Sequence, residues 1–332
     1  MMKPEIAIIG AGLAGVALAT RLAPHAEITL VEKSRGLGGR MATRRGESAG
    51  FDHGAQYFTI RHPAFHDFLE PAMERGVVEV WDAPLHRLNA AAKLEKLEDR
   101  SPRFVANPGM NALVRFFAEP HKPRLNTKIV GVEGKPGHWG LRTEDDQRLG
   151  PFAWIVSTAP APQTADLLPL APDDAAAVRS VEMHGCFTLM IALGEASSLP
   201  FSAAQVEHPV IGWIGANHSK PERASTPALV VHARNDWSQE HLEAPLPWVE
   251  AQMMQALATL LPDLADLIAA TPVLHRWKYA STATPLGSPF LLDPNRHLAA
   301  CGDWCIGNRV EAAFQSADAL AASLLTQLEI EP

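Results

Sequence analysis

The hydrophobic pattern at the start of the chain predicts a strand, a turn, a helix and a second strand in quick succession. The apolar run at residues 6–9 has the length of a buried parallel strand, and it leads directly into glycines at positions 10, 12 and 15. A helix-forming run follows to about residue 22, and a second apolar run, residues 28–31, ends at Glu32. Strand, Gly-x-Gly-x-x-Gly, helix, strand and acid in this order form the βαβ dinucleotide-binding fingerprint.

Each residue of this fingerprint has a physical reason. Gly10 permits the tight turn, Gly12 lets the backbone approach a pyrophosphate, and Gly15 lets helix and strand pack closely. The phosphates are expected on the free N–H groups of the helix N-terminus, and Glu32 is expected to accept hydrogen bonds from a ribose. The predicted dinucleotide contacts are Gly10, Gly12, Leu13, Ala14, Gly15 and Glu32.

The run after the second strand indicates which dinucleotide is bound. Residues 32–43 resemble the acid-then-double-glycine signature of FAD-binding flavoproteins with the glutathione-reductase-type fold, particularly the flavin amine oxidase superfamily. Taken alone, the run is also typical of a flexible basic loop with solvated arginines. Its register with the fingerprint favours FAD, with predicted contacts at Lys33, Arg35, Gly38, Gly39 and Arg40.

Two further segments carry the same resemblance. Residues 51–58 resemble the segment that passes the flavin edge, which implies cofactor contacts at Gly54, Ala55 and Gln56 and side chains of Gln56 and Tyr57 facing substrate. An apolar run that ends in Gly302-Asp303 resembles the second FAD motif, in which the Asp binds the cofactor. The following helix is expected to aim its dipole at the flavin, with contacts at Arg309, Val310, Glu311 and Ala313.

The remaining pattern predicts two α/β domains. Residues 63–76, 111–118, 173–181 and 247–261 show helical spacing, and residues 77–81, 93–97, 128–133, 139–143, 152–158, 186–193, 229–233 and 273–279 are strand-like. We expect a glutathione-reductase-like, Rossmann-type FAD-binding domain from residues 1–60, 102–162 and 294–332. Residues 61–101 and 163–293 are expected to form an α+β substrate domain with a mixed or antiparallel sheet. The chain has no second Gly-x-Gly-x-x-Gly for a separate nicotinamide domain.

Composition and charge narrow the partners. A net charge of -8 disfavours nucleic acid and anionic membrane surfaces, and no apolar run has the length of a membrane span. No secretory signal is predicted. Cys186, Cys301 and Cys305 lack Cys-x-x-Cys spacing, which fits a reducing cytoplasm and indicates neither a disulfide framework nor a metal site.

Narrower strings identify a resemblance to bacterial renalase-like FAD oxidoreductases over the whole chain. They are residues 33–36, 38–40, 54–58, 219–223, 275–277 and 301–305. The resemblance implies an oxidase that converts 2- or 6-dihydro isomers of NAD(P)H to NAD(P)+, with hydride transfer to flavin N5 and reduction of O2 to H2O2. Such a donor needs orientation rather than a strong base, and the motif segments contain no obvious base.

Two alternatives remain open at this stage. A conventional FAD-dependent amine oxidase would bind a neutral amine beside an aromatic cage, often with a lysine near N5, for which Lys220 and Lys278 are available. A non-catalytic flavin-binding redox module is the other. A small buried thiol is the commoner role for a residue such as Cys305, so FAD is expected to be non-covalent. The substrate-cavity candidates are Gln56, Tyr57, Trp213, Trp277, Tyr279 and Trp304.

Overall fold

The computed structural model describes residues 3–46, 50–98, 101–194, 199–223 and 226–328. The outer ends of the predicted FAD-binding segments, residues 1–2 and 329–332, lie outside this range. The strands within it are β1 Glu5–Ile9, β2 Glu27–Val31, β3 Thr43–Arg45, β4 Gly50–Asp52, β5 Val78–Val80, β6 Leu85–Leu88, β7 Leu94–Lys96, β8 Phe104–Ala106, β9 Ile129–Lys135, β10 His138–Thr143, β11 Arg148–Phe152, β12 Trp154–Ser157, β13 Glu182–Ala192, β14 Ala203–Val206, β15 Ile211–Ala216, β16 Ala228–Ala233, β17 Val273–Thr284, β18 Leu291–Asp293 and β19 Leu298–Ala300. The helices are α1 Leu13–Leu22, α2 Pro63–Glu74, α3 Asn111–Ala118, α4 Ala161–Leu167, α5 Pro172–Arg179, α6 Asn235–Glu240, α7 Leu246–Leu260, α8 Asp303–Ile306 and α9 Val310–Gln327.

A five-stranded sheet in the order β18-β19-β12-β1-β2 forms the first layer. Its inner pairs are parallel, with Ile8 opposite both Leu30 and Val156, and only the edge strand β18 runs antiparallel. The parallel strands are apolar because both faces are covered. Helices α1 and α9 pack together against the sheet. Because β1, β2, β12 and β19 are parallel, their carboxyl ends meet at one edge.

A seven-stranded sheet in the order β17-β13-β16-β15-β14-β6-β7 forms the second layer. All of its pairs are antiparallel except β14 with β6. Along these strands alternate side chains point to opposite faces. The face that carries Leu189, Val231 and Ile214 packs with α7 in one buried apolar cluster, and the other face turns away from that cluster.

Three smaller sheets complete the fold. Strands β9, β10 and β11 form an antiparallel sheet, β3 pairs with β4, and β5 pairs with β8. Helix α2, which the prediction gives to the substrate domain, packs on α9 through Phe65 and Phe314, with ring centroids 5.1 Å apart. The apolar cluster around α1 continues into α2 and β5, because these elements bury their hydrophobic faces against it.

The predicted fold class is confirmed: a Rossmann-like α/β unit is combined with a second, largely antiparallel sheet. The predicted helix at residues 247–261 and the predicted strands at residues 186–193 and 229–233 lie where α7, β13 and β16 occur. No helix among the described residues is long and apolar enough to cross a membrane.

Truncating a buried leucine of α7 should destabilise the protein. Leu257 is fully buried against the second sheet, so Leu257→Ala removes contacts and leaves a cavity. We expect a loss of about 2–5 kcal/mol in the free energy of unfolding, measured by chemical denaturation. Leu246→Ala on the same helix is the matched control, because Leu246 is 40% exposed. An equal effect of both substitutions would contradict the packing described here.

Candidate functional site

The loop between β1 and α1 has the geometry that phosphate binding requires. Gly10 has a φ of +109°, a conformation that other residues rarely adopt. A Cβ on Gly15 would lie 2.0 Å from the carbonyl oxygen of Gly10, so only glycine fits there. A Cβ on Gly12, by contrast, would meet nothing within 4 Å. Open space therefore lies in front of Gly12, at the N-terminus of α1.

That helix N-terminus keeps its donors for a ligand. No side chain caps α1, and its first turn holds no acidic residue. The first N–H groups of a helix have no partner within the helix, and its dipole favours an anion there. Helix α1 can therefore hold a pyrophosphate on its backbone N–H groups. Leu13 and Ala14 are buried in this first turn.

Glu32 closes the fingerprint as a buried carboxylate. One of its oxygens, Oε2, accepts the backbone N–H of Ala11 at 3.0 Å, and Oε1 accepts that of Ser34 at 2.8 Å. The side chain is thereby fixed at the carboxyl end of β2. A carboxylate has about four lone-pair sites, so acceptor capacity remains for ribose hydroxyls.

A second loop faces this one and is tied to the C-terminal motif. Gly39 has a φ of +53°, and a Cβ there would meet only Gly12, at 3.6 Å. Arg40 forms a bidentate ion pair with Asp303, in which Nη1 donates to Oδ2 at 2.7 Å and Nη2 to Oδ1 at 2.5 Å. The structure thus brings together motifs that lie 263 residues apart. A cradle with two glycines facing each other, a fixed acid and an arginine fits FAD.

The other predicted cofactor residues lie around this cradle with different exposures. Gly38 and Gly302 are buried, Val310 and Ala313 are half-buried, and Lys33, Arg35 and Arg309 are exposed. Glu311 is 2% exposed and has a clear structural role, because its Oε1 accepts the backbone N–H groups of Arg61 and His62, both at 2.7 Å. These two hydrogen bonds account for the burial of the Glu311 carboxylate at the start of α9 without a contact to the cofactor.

The segment predicted to pass the flavin edge packs directly on the second loop. Ala55 donates its backbone N–H to the carbonyl oxygen of Arg40 at 2.8 Å, and a Cβ on Gly54 would lie 2.0 Å from the same oxygen. Gln56 is buried, with its Nε2 donating to the carbonyl oxygens of Asp52 and Gly54. The segment therefore borders the cradle, with Gln56 directed away from solvent.

A row of polar and aromatic side chains crosses the second face of the seven-stranded sheet, opposite the face that packs with α7. Thr188 lies directly opposite His275 on one side and His232 on the other, and His232 lies opposite Trp213. Residues paired in this way share a face. Across from this row lies the segment that contains Gln56, whose Nε2 is 3.4 Å from Nε2 of His232.

Aromatic rings stand at both ends of this row. His53 stacks on Trp277 with ring centroids 4.9 Å apart and meets His275 edge-on at 4.9 Å. Trp277 also donates its indole N–H to the carbonyl oxygen of His53 at 2.9 Å. At the other end Tyr57 lies 5.8 Å from Trp213. We call the row and these rings the histidine face: His53, Gln56, Tyr57, Thr188, Trp213, His232, His275 and Trp277.

The imidazoles of the histidine face are held neutral. Burial lowers the pKa of His53 to about 4, helped by repulsion from His275. Burial and the nearby Lys220 lower the pKa of His232 to about 3, and burial also lowers the pKa of His275. A depressed pKa means that the uncharged ring persists at every pH above it. The histidine face is therefore polar but uncharged at neutral pH.

Three polar atoms of the histidine face are buried without a hydrogen-bond partner among the described residues. They are Nδ1 of His53, Oγ1 of Thr188 and Nε1 of Trp213. Buried polar groups in folded proteins are normally satisfied, because an unpaired one costs about 1–3 kcal/mol. These three atoms therefore have unused hydrogen-bonding capacity.

A buried ion cluster lies behind Gln56. Asp52, Lys220 and Arg223 have side chains that are 0%, 0% and 3% exposed. Burial disfavours the charged carboxylate of Asp52, but the two cations and its hydrogen bonds outweigh this and lower its pKa to about 2. The carboxylate is thus held ionised and fully engaged within the cluster.

Some predicted cavity residues lie elsewhere. Trp304 is fully buried and donates its indole N–H to the carbonyl oxygen of Ala159 at 3.0 Å, so it belongs to the core. Tyr279 packs against the same apolar cluster as Trp304. Spacing assigned no role to Asp52, Thr188 or His232 and no position to Lys220. The available signals were the Asp-x-Gly-Ala string that begins at Asp52 and the Lys-Pro-x-Arg string at residues 220–223.

Comparison with known proteins supports this description. Residues 8–71 match the family model of an NAD(P)-binding Rossmann-like domain. The chain is similar to renalase of Mus musculus, with 25% identity over 306 residues, which are 84% of this chain and 86% of that protein. The predicted resemblance to renalase-like proteins is thereby confirmed.

Solved structures show the same fold. A protein from Exiguobacterium sp. 255-15, described as a proposed protoporphyrinogen oxidase, has a TM-score of 0.75 at 14% identity, covering 99% of this chain and all of that one. Wild-type putrescine oxidase bound to putrescine has a TM-score of 0.73 at 13% identity, covering 98% and 99% of the two chains. At these identities the likeness concerns the fold alone.

Removing either acid of the cradle should weaken FAD binding. Glu32→Ala leaves the N–H groups of Ala11 and Ser34 unpaired, and Asp303→Ala leaves Arg40 without its counter-ion. We expect each variant to lose about 1–3 kcal/mol of binding free energy, roughly 5- to 150-fold in dissociation constant. Flavin absorbance after dialysis measures this loss.

The matched control is Glu27→Ala, which removes an exposed acid from the same strand as Glu32. This variant should keep its flavin. Full occupancy in both cradle variants, with the fold intact, would mean that the cradle does not hold the cofactor.

The flavin should be released by acid precipitation, with its colour in the supernatant. Burial raises the pKa of the Cys305 thiol to about 12, so the thiolate needed to attack a flavin is scarce. Cys301 and Cys186 are also buried free thiols. A yellow pellet would show a covalent link, and Cys305→Ser would then identify the attached residue.

Proposed function

We propose that the chain, which is similar to renalase and has a Rossmann-like dinucleotide-binding domain, is an FAD-dependent oxidase that converts 2- or 6-dihydro isomers of NAD(P)H to NAD(P)+. Bound FAD would supply the acceptor for the hydride at its N5 position, and O2 would take up the two electrons as H2O2. The observation that supports this proposal is the uncharged histidine face. It offers aromatic rings and neutral polar groups to a substrate, and it offers no free carboxylate.

A dihydronicotinamide suits such a surface. Its ring is planar, neutral and carries a carboxamide, so it can stack on aromatic side chains while the amide pairs with buried polar atoms. Trp213, Trp277 and Tyr57 supply the rings, and Thr188 and His53 hold unpaired polar atoms. Binding there would satisfy groups that otherwise cost free energy.

The chemistry asks little more of the protein than orientation. When FAD is bound, it supplies the electrophilic position that accepts a hydride. The residues of the chain hold the donor carbon in place and exclude water, and such positioning can lower a barrier by several kcal/mol. Imidazoles whose pKa is lowered by burial are weak bases, and the uncharged rings themselves do not repel a cationic product. This agrees with a reaction that transfers hydride without an acid or a base.

The same features disfavour an ammonium substrate. Asp52 is the charged acid beside Gln56, and its carboxylate is engaged by Lys220 and Arg223. Lys220 carries a positive charge close to Gln56, since its Nζ lies 3.3 Å from Oε1. A cationic amine would meet repulsion from this side rather than a counter-ion.

Location and partners follow from the same proposal. Three buried free thiols fit a reducing cytoplasm. Small-molecule donor and O2 are the partners that the proposed reaction needs.

The rank order of electron donors tests the function. Anaerobically, 2- and 6-dihydro isomers should bleach the flavin rapidly, whereas 4-dihydro NADH should be slow because its hydride carbon lies away from N5 in the same pose. Primary amines should do little. Stopped-flow absorbance measures the bleaching, and admission of O2 should restore the yellow colour with one H2O2 for each NAD(P)+.

Thr188→Val gives a sharper test of the histidine face. It replaces an unpaired hydroxyl with a methyl group of similar size and should raise the KM for the dihydro isomers about 5- to 150-fold if the hydroxyl binds the substrate. Thr282→Val is the matched control, because Thr282 also has a buried, unpaired hydroxyl but lies outside the histidine face. Rapid bleaching by an amine and none by the isomers would favour an amine oxidase. Failure of every donor would favour a non-catalytic flavin module.

A further inference from the structure

The buried ion cluster contains one positive charge more than it needs. Asp52 Oδ2 accepts from Nε of Arg223 at 3.0 Å and from Nη2 at 2.8 Å, so the guanidinium makes two charge-assisted contacts with one carboxylate oxygen. Its Oδ1 accepts from Thr43 Oγ1 at 2.7 Å and from the backbone N–H of Met110 at 3.0 Å. Arg223 alone neutralises Asp52. Lys220 Nζ, 3.2 Å from Oδ2, is therefore a surplus buried cation.

A surplus buried cation is costly and needs an explanation. Taking an ammonium out of water costs several kcal/mol, and one carboxylate cannot repay this cost for two cations. Accordingly, burial lowers the pKa of Lys220 to about 8, and the repulsion of Arg223 adds to burial against the attraction of Asp52. Lys220 thus stays mostly protonated at neutral pH, because its pKa lies only slightly above this pH. Such perturbed groups cluster at functional sites.

The contacts of Lys220 point from the cluster towards the cofactor cradle. Its Nζ lies 3.3 Å from Gln56 Oε1 and 3.3 Å from Asn217 Oδ1, and 5.7 Å from the centre of the Trp81 ring. The charged and titratable groups that face it are Asp52, Arg223 and His232, and His232 stays neutral. Gln56 therefore joins Lys220 to the rest of the site.

Gln56 in turn borders the cradle. The preceding residue, Ala55, is hydrogen-bonded to the backbone of Arg40, and Arg40 holds Asp303. Between Lys220 and the loop of Arg40 there is one glutamine amide and one short backbone segment. In a buried region of low dielectric, a charge at this position acts on the bound group far more strongly than in water.

We propose that Lys220 is an electrostatic positioning residue for the flavin: its ammonium orients the Gln56 amide and favours the anionic, reduced form of the cofactor. Hydride transfer adds two electrons and one proton to the neutral flavin, which becomes an anion. That anion in turn stabilises the protonated form of Lys220. Above the pKa of Lys220 in the oxidised enzyme, flavin reduction is therefore accompanied by uptake of one solvent proton by the neutral amine.

The inference rests on bound FAD and not on the proposed substrate. It is tested with the FAD-loaded protein, dithionite as reductant and reference dyes, from about pH 6 to about pH 10. For the wild type, the plot of midpoint potential against pH should become steeper above about pH 8. One extra proton for two electrons changes the equilibrium constant tenfold per pH unit, which is about 30 mV. The bleaching experiment with candidate donors tests the proposed substrate, whereas the midpoint potential tests Lys220. Either experiment can therefore fail while the other succeeds.

Three variants separate electrostatic from structural roles. Lys220→Met should lower the potential at neutral pH and abolish the steeper segment, and it leaves the balanced Asp52–Arg223 pair in place. Lys220→Arg should keep the higher potential without the steeper segment, because arginine does not titrate here. Arg223→Met removes a repelling cation, so the steeper segment should begin at a higher pH.

Two results would overturn the inference. A steeper segment in Lys220→Arg would show that another group titrates. Wild-type potential and slope in Lys220→Met would show that Lys220 only stabilises the fold, even if the melting temperature fell. Should Lys220→Met fail to retain FAD, the comparison of wild type with Lys220→Arg decides alone.

Discussion

The site depends on one buried carboxylate. Asp52 gathers donors from β3, from the start of α3 and from the segment after β15, all of which end their hydrogen bonds on its two oxygens. Removing this charge would leave two cations buried without a counter-ion, which is among the costliest defects in a protein interior. The cradle loop and the seven-stranded sheet are thereby held in one fixed relation, and Gln56 lies between them.

Local chemistry explains how much of the site could be predicted. Gly10, Gly15 and Glu32 act within one βαβ unit, so their roles follow from spacing alone. Thr188, His232 and His275 are brought together by strand register, which depends on the whole sheet. The spacing of these residues along the sequence does not predict that they are neighbours in the sheet. The fold class could be predicted because periodicity and motifs are local. Of the histidine face, Gln56, Tyr57, Trp213 and Trp277 were predicted as cavity residues, whereas Thr188 and the histidines were not.

The histidine face and the ion cluster differ in charge: the histidine face is neutral, and the ion cluster is charged. Imidazoles lose their charge on burial and present a neutral surface, whereas Lys220 keeps most of its charge because Asp52 is adjacent. Side chains with similar basic chemistry thus end in opposite charge states within a few ångströms. Substrate binding and cofactor reduction can consequently be altered separately, since they depend on different groups.

The order of strands in the five-stranded sheet has a consequence for how the protein is made. In this sheet β1 lies between β2 and β12. Strand β19, which is formed by residues 298–300 just before Asp303, pairs with the other side of β12. During synthesis Arg40 emerges early, and its ion-pair partner Asp303 follows 263 residues later. Pairing over such sequence distances is slow. The cradle described above is therefore assembled only after Asp303 has been synthesised, because Arg40 and Asp303 must meet to complete it.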